Sequence, residues 1–310
     1  MRHMTSLMEV LRTAKRKHVL YFFGVLVGAL VSLEIAVRLF GLTSYPVYIR
    51  SQAVGYFLAP NQRGAFLNKN HWFVDDQGFA NEKPFVVSHP NTILVGDSVV
   101  FGGNPVDYDL RIGTIAAKIT RRDIWSASAG GWSLLNELAF LKLHKTQVYQ
   151  ADKLIFVVNR GDFGCAAQWA GELALPTRRP VLATVYFLKR YVLPHSEELP
   201  PITVKSDSLC EREWQDGLDD LLTHYSGQVS FILYPDKHDL NDHNAWRMEM
   251  VAIRRYIAAH SRRIMLFDLS TVPGWNLSRY RDGTHPNPAG NRILAAVVAK
   301  LVKIDSASKL

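Results

Sequence analysis

Fifteen consecutive residues, 19–33 (VLYFFGVLVGALVSL), carry no charge, and the apolar character resumes through Phe40. As a helix, residues 19–40 would extend roughly 33 Å, enough to cross a ~30 Å hydrocarbon core. Glu34 and Arg38 interrupt the last turns at i, i+4 spacing with the acid first, the favourable order for an intrahelical pair. Near a membrane interface such a pair can snorkel or bind the domain beyond the span. Residues 41–90 show no helical period and are rich in turn formers, among them Pro46, Pro60-Asn61, Gly64, Asp75-Asp76-Gln77-Gly78, Pro84 and Pro90. That pattern predicts a spacer with short strands, packed on the domain C-terminal to it. From there the chain alternates. Short apolar runs at 92–95 (TILV), 124–127, 153–158 (KLIFVV), 229–234 (VSFILY) and 264–267 predict buried strands. Helical spacing at 110–120, 134–144, 209–225, 244–260 and 288–302 predicts the helices between and after them, the last with Pro288 near its first turn. Residues 164–208 break the rhythm as a long Pro-containing insertion with a helix expected at 183–192. Strands alternating with helices of this length predict a parallel sheet covered on both faces, a three-layer α/β/α domain over 91–304.

Charge changes the picture at the N-terminus. Of the net charge of +8, half sits in residues 1–18, where Arg2, Arg12, Lys15, Arg16 and Lys17 face Glu9 alone. A basic tail at 1–18 before an apolar span at 19–40 is a topogenic signal rather than a nucleic-acid surface, and no nucleic-acid partner is expected. The positive-inside rule puts that tail in the cytoplasm and the remaining chain outside, anchored in the inner membrane on the periplasmic side. A cleaved signal peptide is the rival, but no A-x-A site comes after the apolar run and the run is long. With 48% hydrophobic residues the chain is too apolar for disorder. Two cysteines, Cys165 and Cys210, exclude a zinc ribbon, an iron–sulfur site and a disulfide-dense miniprotein. In an exported domain they form either one disulfide or two free core thiols.

In a doubly wound sheet, ligands bind at the carboxyl ends of the strands. There the sequence places Gly96-Asp97-Ser98, Ser128-Ala129-Gly130-Gly131-Trp132, Asn159-Arg160-Gly161-Asp162 and, after the fifth strand, Asp282-Gly283-Thr284-His285. Together these supply a nucleophile, a base, a group to orient the base and donors for an oxyanion, the parts needed for acyl transfer through a serine. Zinc wants two or three His at helical or hairpin spacing, or a closed set of carboxylates. The stretch Tyr234-Pro235-Asp236-Lys237-His238-Asp239-Leu240-Asn241-Asp242-His243 reads instead as a solvated loop of mixed charge, and neither a metal nor another cofactor is expected.

At this point the chain resembles a family. ILVGDSVVFGG is similar to the first block of the SGNH (GDSL-type) hydrolases and DGTHPNPAGN to their last, while VDDQGFANEKPF resembles the segment preceding the nucleophile strand in membrane-anchored members. The resemblance implies a flavodoxin-like SGNH hydrolase fold with Ser98 as nucleophile, His285 as general base and Asp282 as its orienter. It further implies an oxyanion hole lined by the N–H groups of Ser98 and Gly131, the latter chosen because Gly-Trp-Ser resembles the family's Gly-aromatic-Ser turn. Relatives commonly carry G-x-N-D after the third strand. Here Gly and Asn are exchanged around that turn, so the third donor is either the Asn159 amide or the Gly161 N–H. The Y-P-D-K start of the loop at 234–243 resembles a strand-end turn at the cleft rim of polysaccharide-modifying relatives. Trp132 and Trp275 could stack on a sugar or pack on the sheet rim, and Arg160 could meet an anionic substrate or pair with Asp162.

The expected activity is a serine esterase, or an O-acyltransferase using the same triad, acting on an O-acyl (O-acetyl foremost) group of an extracytoplasmic polysaccharide. The expected partners are that acylated carbohydrate, the membrane through 19–40, and proteins of polysaccharide synthesis or secretion. A lipase-like esterase on membrane lipids and an inactive structural subunit of an envelope assembly are the alternatives.

Overall fold

The computed structural model describes residues 2–86, 91–193 and 207–304, with side chains described from His18 onward and, in the last stretch, from Leu209. The chain opens with helix α1 (Arg2–Leu39) and two hairpin pairs, β1 (Tyr48–Ser51) with β2 (Gly55–Leu58) and β3 (Gln62–Phe66) with β4 (Asn70–Val74). Then come β5 (Asn91–Gly96), α2 (Ser98–Phe101), α3 (Ile112–Thr120), β6 (Asp123–Ser128), α4 (Leu134–Leu143), α5 (Lys145–Gln150) and β7 (Lys153–Val158). Beyond a loop lie α6 (Ala183–Phe187), α7 (Asp207–His224), β8 (Gln228–Leu233), α8 (Lys237–Asn241), α9 (His243–Glu249), α10 (Val251–Ala259), β9 (Ile264–Asp268) and α11 (Pro288–Lys303).

Strands β5 to β9 form one parallel sheet in the order β6-β5-β7-β8-β9. Counted within that sheet the order is 2-1-3-4-5, the flavodoxin-like winding, which reverses at β5 and opens a crevice beyond the carboxyl ends of β5 and β7. Both strands are buried along their whole length, as expected for strands covered on two faces. One face packs Ile93, Trp125, Phe156 and Phe231 against α4 and α7; the other packs Leu94, Ile155 and Ile232 against α3 and α11. Phe156 and Phe231 stack across neighbouring strands with centroids 4.7 Å apart. Lys153, buried at the start of β7, reaches the far end of α11 and donates to the carbonyls of Leu301 and Val302 at 3.0 and 2.8 Å. A cation there satisfies acceptors that the helix leaves open.

The hairpins at 48–74 form part of the core: Tyr56, Leu58, Trp72 and Val74 join the same cluster as the sheet. The helix expected at 244–260 is two helices, because Met250 (φ −87°, ψ 5°) leaves helical geometry between α9 and α10. The stretch expected as a charged loop after β8 holds a further helix, α8, started by a reciprocal cap in which Asp236 and Asp239 each accept the other's backbone N–H. The helix expected at 183–192 is α6 followed by one wider, π-type turn at Leu188–Val192. Cys165 and Cys210 are joined by a disulfide, which ties the loop after β7 to α7.

Candidate active site

The turn that carries Ser98 is built by Gly96. A Cβ on Gly96 would lie 2.4 Å from Val100 Cγ2 and 3.2 Å from the Val157 carbonyl oxygen, so only glycine lets α2 fold straight back on the strand end. Asp97 caps that helix, its carboxylate accepting the Val99 N–H at 2.8 Å, and Gly102 ends it at φ +76°. Ser98, at the first helical position, is left half-buried at the carboxyl edge of the sheet.

The histidine arrives from the other end of the chain. His285 Nε2 lies 2.9 Å from Ser98 Oγ, and His285 Nδ1 lies 3.0 Å from Asp282 Oδ2. Asp282 Oδ1 also accepts the backbone N–H groups of Thr284 and His285, at 2.9 and 2.7 Å. Partial burial works against the charge on Asp282, but those two N–H groups and the imidazole outweigh it and hold the carboxyl down to about 2. Its loop is tied to the sheet end on three sides. Tyr234 donates its hydroxyl to the Thr284 carbonyl, the Lys237 N–H bonds the Gly283 carbonyl at 2.9 Å, and Tyr280 donates to the Pro235 carbonyl. Arg281 bonds the carbonyl of Gly102 through both terminal nitrogens at 3.3 Å, clamping the histidine loop to the end of the serine helix. Arg281 escapes sequence reasoning, and its place directly before Asp282 is the only signal for it.

Strand register brings the remaining segments alongside. Gly96 pairs with Ser128 on one side and with Val157 on the other, so the turns after β5, β6 and β7 leave the sheet as neighbours. Gly131 sits in the second of these turns at φ +77°, exposed, with the adjacent Gly130 carbonyl held by the Tyr56 hydroxyl at 2.7 Å. Asn159 begins the third. Its Oδ1 accepts the Gly161 N–H at 2.7 Å, and its Nδ2 donates to Asp97 Oδ2 at 3.2 Å, the same oxygen that Ser98 Oγ approaches at 3.4 Å. The amide orientation is fixed by these partners, since an N–H needs an acceptor and a carboxylate needs a donor. The Gly161 N–H is therefore committed within its own turn, while the Asn159 NH₂ meets the Asp97 oxygen that Ser98 Oγ also approaches and has a second hydrogen to donate.

Beneath these turns lie three buried carboxyl groups. Burial raises Asp97; burial together with the neighbouring carboxylates raises Asp162 and Glu137 well above the usual range. Asp162 accepts the Asn159 N–H at 2.7 Å, and both Glu137 oxygens lack a hydrogen-bond partner. Glu137 sits among apolar neighbours on a predicted helix, and nothing in the sequence marks it as buried.

Three side chains whose roles the sequence left open have definite partners. Trp132 and Trp275 are both buried, the first donating to the Tyr56 carbonyl at 2.8 Å and the second to the Tyr280 hydroxyl at 2.9 Å, so they pack on the rim. Arg160 pairs not with Asp162 but with Asp236, Asp239 and Glu249 at 3.3–3.7 Å. Asp236, His238 and Asp239 bring one ligand atom each within 4.8 Å of one another, but the Arg160 guanidinium already serves the two carboxylates.

No family model matches the chain, and no curated protein does. Among solved structures it is similar to a member of the lipolytic G-D-S-L family from Veillonella parvula, with 14% identity over 71% of this chain and 99% of that one at a TM-score of 0.45. It is also similar to a family 2 carbohydrate esterase from Corynascus thermopiles (14% identity, 72% and 67% of the two chains, TM-score 0.42) and to one from Cellvibrio japonicus (15%, 72% and 63%, 0.43). Each is a distant likeness. The chemical capacity of the site comes from its own side chains: a hydroxyl, an imidazole and an ionised carboxylate in one hydrogen-bonded line, with backbone and amide donors on neighbouring turns.

Proposed function

We infer that this protein is a membrane-anchored serine hydrolase of the SGNH type, acting on an ester bond through Ser98, His285 and Asp282. The observation that carries the reading is the unbroken line from Ser98 Oγ through the imidazole to an Asp282 carboxylate held down to about 2. Ser98 Oγ attacks the acyl carbon while His285 Nε2 takes its proton, and Asp282 stabilises the imidazolium. The carbonyl electrons move to oxygen, where the N–H groups of Ser98 and Gly131 and the Asn159 amide stabilise the charge. Collapse of the tetrahedral intermediate breaks the ester bond, and His285 returns the proton to the leaving alcohol. The acyl-serine then passes its acyl group to water or to a second hydroxyl, with His285 again as base.

Ser98 is half-buried while Gly131 is exposed and Asp282 half-exposed, which suits a small acyl group presented on a bulky alcohol. The substrate proposed is an O-acetylated polysaccharide outside the cytoplasm. Among the described residues, one helix segment, His18–Leu39, is long and apolar enough to cross a membrane. We read it as a single-pass inner-membrane anchor with the catalytic domain over 91–304 on the periplasmic side. The basic tail and the Cys165–Cys210 disulfide, a bond that persists in oxidising compartments, both support that side.

A fluorophosphonate probe should label Ser98, and folded protein that stays unlabelled would leave only a structural subunit. Incubation with acetylated and deacetylated glycan should release acetate from the first alone. Release of fatty acid from membrane lipid instead would move the substrate to lipid esters. A C-terminal alkaline phosphatase fusion should be active, and N-terminal sequencing that begins beyond Phe40 would replace the anchor by a cleaved signal peptide.

A further inference from the structure

The insertion between β7 and α7 is fastened to the outer end of the apolar helix. Glu34 accepts the first N–H groups of the insertion's helix α6, from Ala183 at 2.9 Å and Thr184 at 2.8 Å, so a side chain of α1 caps α6. Arg38 pairs with Glu34 at 2.7 Å and donates to the Val181 carbonyl at the same distance. Ala183 is wholly buried there, as is Val37 of α1. A second fastening lies outside the span, where the rings of Tyr45 and Tyr186 meet at 5.2 Å and Tyr186 donates to the Leu173 carbonyl at 3.1 Å.

The height of this joint matters. Glu34 lies five residues before the end of the apolar span at Leu39, roughly 7.5 Å along a helix axis. The insertion is therefore held at, and not above, the boundary between headgroups and acyl chains. Most of its outward residues are apolar: Val181, just before α6, is 86% exposed, and along α6 and the wider turn after it Val185 is 43%, Leu188 37% and Val192 58% exposed. Lys189 and Arg190 lie on the same segment, at positions where long cationic side chains can reach phosphate groups. The arrangement also explains how two charges are tolerated inside the span: they neutralise each other and serve backbone groups of the insertion.

We propose that residues 181–192 are a second membrane contact, lying along the outer interface of the bilayer with Val181, Val185, Leu188 and Val192 in the acyl-chain boundary. The occupant of this face is phospholipid. The proposal rests on the reading of His18–Leu39 as a span, because that span sets the height of Glu34. Asn68 and Leu67 already bond the carbonyls of Leu39 and Gly41, so α1 leaves the domain in a fixed direction, and a second contact at the interface would fix the tilt of the domain over the membrane as well.

The test uses the full chain in bilayers of phosphatidylethanolamine and phosphatidylglycerol, with the photo-cross-linker p-benzoylphenylalanine placed singly at 185, 188 or 192. Position 26, in the middle of the span, reports on the anchor. Position 248, where Met248 is 72% exposed on α9, reports on chance encounters. After irradiation, mass spectrometry should find phospholipid adducts at 26, 185, 188 and 192, with at least tenfold less at 248. Adducts at 26 without adducts at 185, 188 and 192 would overturn the second contact and leave the anchor standing. Adducts at the three insertion positions but none at 26 would overturn the span and keep the interface. Equal yields at 248 and 185 would also overturn the proposal, since the face would then be ordinary surface.

Discussion

The His285 ring reaches Ser98 across 187 residues of chain, with Nε2 2.9 Å from the hydroxyl oxygen. Neither residue is placed by its own neighbours alone. Ser98 is set by the tight turn that Gly96 permits, and His285 by a loop pinned at Tyr234, Lys237, Tyr280 and Arg281. The two halves meet where Arg281 grips Gly102, directly behind the serine helix.

Ser98→Ala and His285→Ala should each remove nearly all ester hydrolysis, and the double variant should be no worse than either, because groups that act as one unit are strongly non-additive. Asp282→Asn should keep more activity than either, since the backbone N–H groups that position it still find an acceptor oxygen. Steady-state rates on 4-nitrophenyl acetate measure all four. Retention of most of the rate by Ser98→Ala would end the triad assignment.

Gly96→Ala tests whether the turn positions the nucleophile. The new Cβ meets Val100 Cγ2 at 2.4 Å, so α2 must shift, at about 1–3 kcal/mol for the overpacking. A displacement of about 1 Å at Ser98 is enough for a ~100-fold loss of rate. Adding Val100→Ala removes the obstructing methyl groups and should return part of that activity, measured as kcat beside the thermal midpoint. Unchanged kcat in Gly96→Ala would show that the turn has slack.

The central strands β5 and β7 are legible in the sequence because they are buried along their whole length and read as apolar runs such as TILV or KLIFVV, while the serine-interrupted β6 and the half-buried edge strand β9 are legible mainly from their place in the alternation with helices. The proposed triad is marked in two ways: Ser98 comes two residues after β5, at the edge where a doubly wound sheet binds ligands, whereas Asp282 and His285 lie far past β9 and are marked only by their D-x-x-H spacing just before α11. What escapes are features set by partners far along the chain. Helix α8 looks like a loop because its stability comes from the reciprocal Asp236–Asp239 cap and from Arg160, almost eighty residues earlier, and not from an apolar stripe. Glu137 reads as a surface acid on α4, but α4 packs on α7, β5, β6 and the 160–163 turn, and Glu137 is wholly buried there. Trp132 and Trp275 read as potential sugar platforms because a sequence does not show that Tyr56 and Tyr280 already hold their N–H groups.

Stability should fall as pH rises from about 4 to about 7, through Asp75. Burial raises its carboxyl from the usual 3.8 to about 7, against the pull of the N–H groups of Gln77 and Phe79. Over that window the unfolded chain has lost the proton that the fold retains, so folding is disfavoured progressively, and the effect is complete above the folded value. The rise corresponds to at most about 4 kcal/mol. Asp75→Asn keeps an acceptor for both N–H groups and removes the titration. Its thermal midpoint should match the wild type near pH 4 and exceed it by several degrees at pH 8. A constant difference across that range would show that Asp75 ionises freely in the fold.

The third oxyanion donor can be tested at Asn159, because the geometry assigns each of its side-chain atoms a separate task. Oδ1 holds the Gly161 N–H at 2.7 Å and so shapes the turn, whereas Nδ2 donates toward Asp97 Oδ2, beside the serine hydroxyl. If Nδ2 stabilises the oxyanion, Asn159→Ala should lower kcat by ~100- to 1,000-fold, or about 2.7–4 kcal/mol, with little change in KM. Losing the turn could mimic that result, and Asn159→Asp separates the two. Aspartate still accepts from Gly161 and preserves the turn, but it offers no donor and sets a second carboxylate against Asp97. It should therefore be at least as inactive as Asn159→Ala while its thermal midpoint at low pH stays close to the wild type. The rival donor, the Gly161 N–H, is released from Oδ1 when Asn159 becomes Ala, so that assignment requires Asn159→Ala to cost less than about tenfold. A deep loss in both variants supports the amide; a shallow loss in Ala with a deep one in Asp would leave charge repulsion at Asp97 as the whole effect and the hole with two donors.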